Sequence, residues 1–147
     1  MNEKTTMVQI VMPQDCNAHP VQRLFGGRLM AWIDVTGAVA ARRWSGKNVT
    51  TASVEHLDFL AAAHLGDTVV QEAAVTWTGR TSMEVRVDTY VEHMDGSRTP
   101  VNRAYLVYVA LDEDDRPTPV PVFTPETEEE KREWEAARER KARRCAR

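Results

Sequence analysis

The sequence predicts an α+β fold in which one antiparallel sheet wraps around a single long, buried helix. Three observations predict it. Residues 25–44 read as one helix whose interior, LMAWIDVTGAVAA, is apolar on almost every side. Five other segments are rich in β-branched and apolar residues, and turn sequences separate them. A helix with apolar residues on nearly every side needs a sheet around it, which is an α+β layout.

One strand precedes the helix and four strands follow it. The stretch TTMVQIVM at 5–12 predicts the first strand, and the polar segment PQDCNAHPVQR after it predicts a loop. Apolar and polar residues alternate along 82–93, as in a half-buried antiparallel strand, and Asp95 and Gly96 then predict a hairpin turn. We expect the last four strands to form a meander around the helix. The remaining predicted strands are 49–57, 67–78 and 101–111.

The last part of the chain, from Glu126 to Arg147, has a different composition. Its acidic residues come early and its basic residues late, which suits the dipole of a helix. Trp134 is its one large apolar residue, so we expect a solvent-exposed helix pinned by that side chain. The alternative is a helix that takes part in subunit or nucleotide contacts. We assign residues 1–124 to the globular domain and 125–147 to a charged helical tail.

The composition is that of an ordinary globular protein, with 42% hydrophobic and 28% charged residues. The net charge of −3 gives no general attraction to nucleic acid or to an anionic membrane. No stretch approaches the roughly 20 apolar residues of a membrane span, and the first residues do not resemble a signal peptide. The two cysteines have neither metal-site nor disulfide spacing. We therefore expect a cytoplasmic protein without metal, nucleic-acid or membrane partners.

Asp34 is the most informative residue of the predicted helix. Its neighbours one helical turn away, Met30, Ala31, Gly37 and Ala38, are apolar or small. An ionised carboxylate in such surroundings is costly unless it is paired or reached by polar groups. The structural alternatives are a solvent-facing carboxylate and an ion pair with an arginine of the sheet. The pattern makes Asp34 a candidate catalytic residue.

Gly26 and Gly27 at the helix start are the second candidate site. The first N–H groups of a helix have no internal partner, and glycine lets a ligand approach them. A carbonyl oxygen held by the Gly27 N–H would be polarised as it gains negative charge. Tight packing of the helix against a strand is the alternative. Gly27 and Asp34 are about 10 Å apart along the helix axis, so we expect a two-fold dimer to combine Gly27 of one subunit with Asp34 of the partner subunit.

Two loops offer further polar groups. Asn17, in the loop before the helix, has an amide that can hold a water, although such residues also cap turns. The segment Gly79-Arg80-Thr81-Ser82 places donors where a phosphate can bind, or is simply a hairpin connection. The four histidines lack metal-ligand spacing, and the chain has neither a Gly-x-Ser-x-Gly motif nor a glycine-rich nucleotide motif.

The segment RLFGGRLMAWIDVTGAVAARRWSG, residues 23–46, resembles the acyl-CoA thioesterase family of single hot-dog domains, the YciA-like and cytosolic brain-type enzymes. The segments VMPQDCN, VTTASVEHLDF, GRTSMEVRVDTYVE and VNRAYLVYVALDEDDRPTPVP extend the resemblance over most of residues 7–123. It implies a hot-dog fold and hydrolysis of acyl-CoA to a free acid and CoA, without a cofactor. The family typically forms hexamers, as trimers of dimers.

The resemblance also implies roles for single residues. Asp34 is the expected catalytic carboxylate, as general base or nucleophile, and the Gly27 N–H is the expected donor to the thioester oxygen. Asn17 matches an asparagine that places water or substrate. The loop departs from the family pattern, however, and alignment on Phe25 puts His19 at that position. The residues expected to bind substrate or CoA are Phe25, Gly26, His19, Gly79, Arg80, Thr81 and Ser82.

Two other functions use the same pocket. One is a non-catalytic module that binds acyl-CoA, which the altered loop favours. The other is a hot-dog hydratase acting on enoyl-CoA, a chemistry that usually needs a histidine with an acid. A purely structural role in an assembly would leave Asp34 without a purpose.

Overall fold

The computed structural model describes residues 3–18 and 20–146. It contains the predicted order of one strand, one long helix, four strands and a final helix. A short 3₁₀ turn, Pro13–Asp15, follows the first strand. The elements are β1 Thr5–Ile10, α1 Gly26–Ser45, β2 Asn48–Phe59, β3 Thr68–Thr78, β4 Ser82–Glu92, β5 Arg98–Leu111 and α2 Glu128–Cys145.

The five strands form one antiparallel sheet in the order β1-β3-β4-β5-β2. The predicted α+β hot-dog fold is confirmed, because this sheet packs against the long helix α1. The expected four-strand meander is wrong in one respect, since β2 pairs with β5 and not with β3. Tight turns join β3 to β4 and β4 to β5, whereas residues 60–67 carry the chain from β2 to the far side of the sheet. Strand patterns do not contain that pairing information.

The sheet covers only one side of α1. Met30 and Val35 on the other side are 44% and 54% exposed. The prediction that α1 is buried on every side is therefore wrong for a single chain, because five strands cannot surround it. Neither helix of the described residues is long and apolar enough to cross a membrane. The side chains of α1 that are buried are Leu29, Trp32, Ile33, Thr36, Gly37, Ala40 and Ala41.

The final helix α2 packs on the opposite face of the sheet through a buried ion pair. Arg140 donates two hydrogen bonds to the Glu84 carboxylate, at 2.9 and 2.7 Å, and its guanidinium lies 3.8 Å from the centre of the Tyr105 ring. Thr76 donates a further hydrogen bond to Glu84 at 2.7 Å. The predicted exposed helix pinned by Trp134 is confirmed in part: Trp134 packs against the core and much of α2 is exposed, but the buried Arg140 is a second anchor. The division of the chain at residue 124 remains a prediction.

More polar contacts join α2 to the same face. The Tyr105 hydroxyl donates to the Glu133 carboxylate at 3.0 Å. Arg86 lies between Glu133, at 3.5 Å, and Asp88, at 3.0 Å. Arg103 lies 2.6 Å from the other oxygen of Asp88. The charge run of the tail thus reflects docking onto a polar face of the sheet.

Replacing Arg140 with alanine is expected to lower the free energy of unfolding by about 3–5 kcal/mol, because the buried Glu84 carboxylate loses its counter-charge. Arg132, an exposed residue of the same helix, is the matched control. Its change to alanine is expected to alter stability by no more than about 0.5 kcal/mol. Urea denaturation of both variants measures the difference, and equal losses would contradict the buried anchor.

Candidate active site

The Asp34 carboxylate is held by two hydroxyl groups of the sheet. Its Oδ1 accepts a hydrogen bond from Thr51 Oγ1 at 2.8 Å and from the Tyr108 hydroxyl at 3.0 Å. Thr51 on β2 and Tyr108 on β5 are direct partners in the sheet, so their side chains point to the same face. Asp34 itself is half-buried in the single chain. The carboxylate therefore has a defined position with polar support.

Tyr108 is the more constrained of the two donors. Its side chain is fully buried, and its single hydroxyl proton is shared between Oδ1 and the main-chain carbonyl oxygen of Asp34, which lies 2.9 Å away. Burial, and then the charge of Asp34, raise the pKa of the phenol far above its ordinary value, so the group stays protonated. A side chain at Gly37 would overlap the Tyr108 hydroxyl. Gly37 thus allows the tyrosine to reach the helix backbone.

The start of α1 presents backbone N–H groups that are not used by the helix. The first helical hydrogen bond runs from the Leu29 N–H to the Phe25 carbonyl, at 3.0 Å, so the Gly27 N–H precedes it. Gly27 is exposed, and the space where Gly26 would carry a Cβ is empty within 4 Å. A ligand with an acceptor oxygen can therefore approach this turn, where the helix dipole also favours negative charge.

Hydrogen bonds tie the loop that carries Asn17 to the helix start. The Asn17 N–H donates to the Arg23 carbonyl at 2.9 Å, and the Phe25 N–H donates to the Asp15 carbonyl at 2.8 Å. The Asp15 carboxylate lies 3.3 Å from Arg28 Nε in the first turn of α1. These contacts fix the loop against the helix, and they place Asn17 beside its N-terminus.

A cavity of about 320 Å³ adjoins this turn. Its walls are mostly apolar, with a few polar groups, which is typical of a small-molecule site. Phe25, beside it, is 54% exposed. The lining residues are Asn17, Arg23, Leu24, Gly26, Leu29, Phe59, Leu60, Ala61, Ala62, Ala63 and Val101.

The other predicted segment, Gly79–Ser82, lies at the end of the sheet opposite the cavity. Ser82 pairs with Val109, one residue beyond Tyr108, so this connection is on the Asp34 side of the molecule. The Gly79 N–H donates to the Ser82 carbonyl at 2.9 Å, which closes a tight turn. The Arg80 side chain is exposed and the Thr81 side chain half-buried. The segment is thus both a strand connection and a polar surface.

The predicted site residues therefore fall into two groups within one chain. Asn17, Phe25, Gly26 and Gly27 share the N-terminal end of α1, whereas Asp34 lies near the middle of the helix and contacts Tyr108, whose neighbour on β5 pairs with Ser82. His19 lies outside the described residues. Among residues 3–18 and 20–146, no group of three or more histidine, cysteine or acidic side chains is arranged to hold a metal ion.

Thr51, Tyr108 and Gly37 were not among the predicted site residues. Each has an ordinary role in its local pattern, as a β-branched strand residue, an aromatic strand residue and a small helix residue. Only the register of β2 against β5 brings the two hydroxyls onto one carboxylate. The sequence signal that could have identified Thr51 and Tyr108 is a hydroxyl group on the side of a strand that faces the helix.

Known proteins are similar to this chain in sequence and in fold. The thioesterase superfamily matches residues 22–96. The chain is 42% identical over 128 residues to the uncharacterized acyl-CoA thioester hydrolase YkhA of Bacillus subtilis, a match that covers 86% of this chain and 73% of that protein.

Two solved structures are also similar to this fold. An apo-hexameric acyl-CoA thioesterase has a TM-score of 0.89 and 40% identity, over 97% of this chain and 91% of the other. The acyl-CoA hydrolase from Staphylococcus aureus, in complex with butyryl coenzyme A, coenzyme A and coenzyme A disulfide, has a TM-score of 0.88 and 37% identity, over 97% and 87%.

Proposed function

Because the chain belongs to the thioesterase superfamily, we propose that it is an acyl-CoA thioester hydrolase, which converts acyl-CoA and water to a free acid and CoA. One observation carries the proposal: the long helix combines a carboxylate held by two hydroxyls with a first turn whose Gly27 N–H precedes the helical hydrogen bonds. A base and an oxyanion donor are the two groups that acyl transfer to water requires.

The reaction as proposed uses protein groups and water, without a cofactor. The Gly27 N–H donates to the thioester oxygen and stabilises its negative charge when water adds to the carbonyl carbon. Asp34 takes the proton from that water. The C–S bond then breaks, and the proton on Asp34 passes to the departing CoA thiolate. In the alternative, Asp34 attacks the carbonyl carbon and expels the CoA thiolate. Water then opens the resulting anhydride at the Asp34 carbonyl carbon and gives a proton to the thiolate, so that a single turnover in ¹⁸O-water labels Asp34.

We propose that each site is built from two subunits. Gly27 and Asp34 are about two helical turns apart on one helix, too far to act on the same carbonyl from one chain. The apolar face that includes Met30 and Val35 is exposed, and β2 is an edge strand with Val54 46% exposed. A two-fold axis that covers this face can bring Gly27 of one subunit to Asp34 of the partner subunit. The similarity to an apo-hexameric thioesterase supports a trimer of such dimers.

The substrate then spans the two groups of site residues. A carbonyl held at Gly27 has the cavity lined by Gly26 next to it, and the apolar walls of that cavity suit an acyl chain. Asn17 beside the same turn is suited to holding the attacking water or the substrate. We assign Gly79, Arg80, Thr81 and Ser82, on the Asp34 side, to contacts with the CoA phosphates and pantetheine arm.

The direct test is release of free thiol from acyl-CoA substrates of increasing chain length, read with a thiol-reactive dye. We expect turnover with CoA as the product. Binding of acyl-CoA without thiol release would support the non-catalytic module. Loss of enoyl absorbance without thiol release would support the hydratase. Either result would overturn the proposed hydrolysis.

A further inference from the structure

The Tyr108 hydroxyl occupies an unusual position between two acceptors of one residue. It lies 2.9 Å from the main-chain carbonyl oxygen of Asp34 and 3.0 Å from Oδ1 of the same residue. Contact with both atoms fixes the side-chain rotamer of Asp34 relative to its own helix. The phenol can do this reliably because its side chain is fully buried, on β5, an inner strand of the sheet.

The two hydroxyl donors meet at one oxygen of the carboxylate. Thr51 Oγ1 also donates to Oδ1, at 2.8 Å. Each carboxylate oxygen can accept more than one hydrogen bond, but two donors on Oδ1 restrict the rotation of the group. The second oxygen, Oδ2, is then the one available to a water molecule.

We propose that Tyr108 is a positioning residue for the reaction, which holds Oδ1 of Asp34 and leaves Oδ2 to take the proton from water. This inference rests on the proposed thioester hydrolysis. The helix allows this contact because it has glycine at position 37. Any side chain there would displace the Tyr108 hydroxyl. A tyrosine that only filled space would not require so close an approach of its polar atom to the helix.

The test compares Tyr108→Phe with Tyr105→Phe. Both tyrosines lie on β5, but the Tyr105 hydroxyl donates to Glu133 on the opposite face of the sheet. Tyr108→Phe is expected to lower kcat about ten-fold, the loss expected for one hydrogen bond to a charged group, with KM changed less than two-fold. Tyr105→Phe is expected to leave both kcat and KM unchanged.

A second variant keeps the Tyr108 hydroxyl but displaces it from Asp34. Gly37→Ala puts a methyl group where the Tyr108 hydroxyl lies, and it is expected to lower kcat by a similar factor. This variant also serves if Tyr108→Phe does not fold. A folded variant of either kind with wild-type kcat would overturn the positioning role. Equal effects of Tyr108→Phe and Tyr105→Phe would do so as well. A wild-type protein that releases no thiol would instead refute the proposed function.

Discussion

Changing Asp34 to asparagine is expected to lower kcat for acyl-CoA hydrolysis by about 10²–10⁴-fold, the usual contribution of a positioned general base. Asparagine has nearly the same shape and keeps an oxygen that accepts the hydrogen bonds from Thr51 and Tyr108. Its amide cannot take a proton from water at neutral pH. We therefore expect a folded protein that binds acyl-CoA with an affinity near that of the wild type.

The matched control is Asp114→Asn, which removes the same charge from an exposed turn. Steady-state kinetics with one acyl-CoA substrate should show wild-type kcat for this control. Circular dichroism and size-exclusion chromatography establish that both proteins keep fold and assembly. If the Asp34 variant turned over acyl-CoA at a near wild-type rate, the carboxylate would have no catalytic role.

Changing Gly27 to proline is expected to lower kcat by about 10²–10³-fold, because proline removes the N–H proposed to stabilise the thioester oxygen. Proline is tolerated in the first turn of a helix, where the N–H is not part of the helical ladder. The residue before it, Gly26, is a glycine and adapts to the restriction that proline imposes. The loss should therefore be catalytic and not a loss of folding.

The control at the same position is Gly27→Ala, which keeps the N–H. The atoms nearest to its methyl group belong to the ring of Phe25, an exposed side chain that can move aside. We expect alanine to retain activity within a few-fold of the wild type. Equal loss in the alanine and proline variants would point to packing as the reason for glycine.

Mixing the two inactive variants tests the shared site. Refolding Asp34→Asn together with Gly27→Pro should restore activity, because a dimer of one of each contains one site with both wild-type groups. Each site of the unmixed proteins lacks one group. No recovery in a mixture shown by mass spectrometry to contain mixed dimers would mean that Gly27 and Asp34 do not act across subunits.

The sequence predicted every strand and helix because each has a strong local pattern. It also drew attention to Asp34, since an acidic residue among apolar helix neighbours is costly without a purpose. The pairing of β2 with β5 was not predictable in the same way, because edge position depends on long-range contacts. The contact between the Tyr108 hydroxyl and Asp34 was not predictable for the same reason, because the two residues are 74 positions apart in the sequence.

The exposed side of α1 shows that composition alone does not predict which side chains are buried within a single chain. The apolar interior of the helical segment, LMAWIDVTGAVAA, predicted a helix with a sheet wrapped around it. The same composition fits a helix with one side against the sheet and the other available to a second subunit. An apolar composition indicates that a face of the helix is shielded from water. It does not show whether the same chain or a second subunit shields that face. The anchor of the tail was predicted only in part, because Arg140 is charged and nevertheless buried.

The Arg140–Glu84 contact also has a consequence for biosynthesis. Glu84 is made 56 residues before its partner, so a nascent chain holds a carboxylate in the middle of β4 with no counter-charge. Until α2 has been translated, that carboxylate gains more from water than from an apolar environment. We therefore expect the face of the sheet under α2 to stay hydrated until α2 has been synthesised. Desolvation of this face then accompanies the docking of α2.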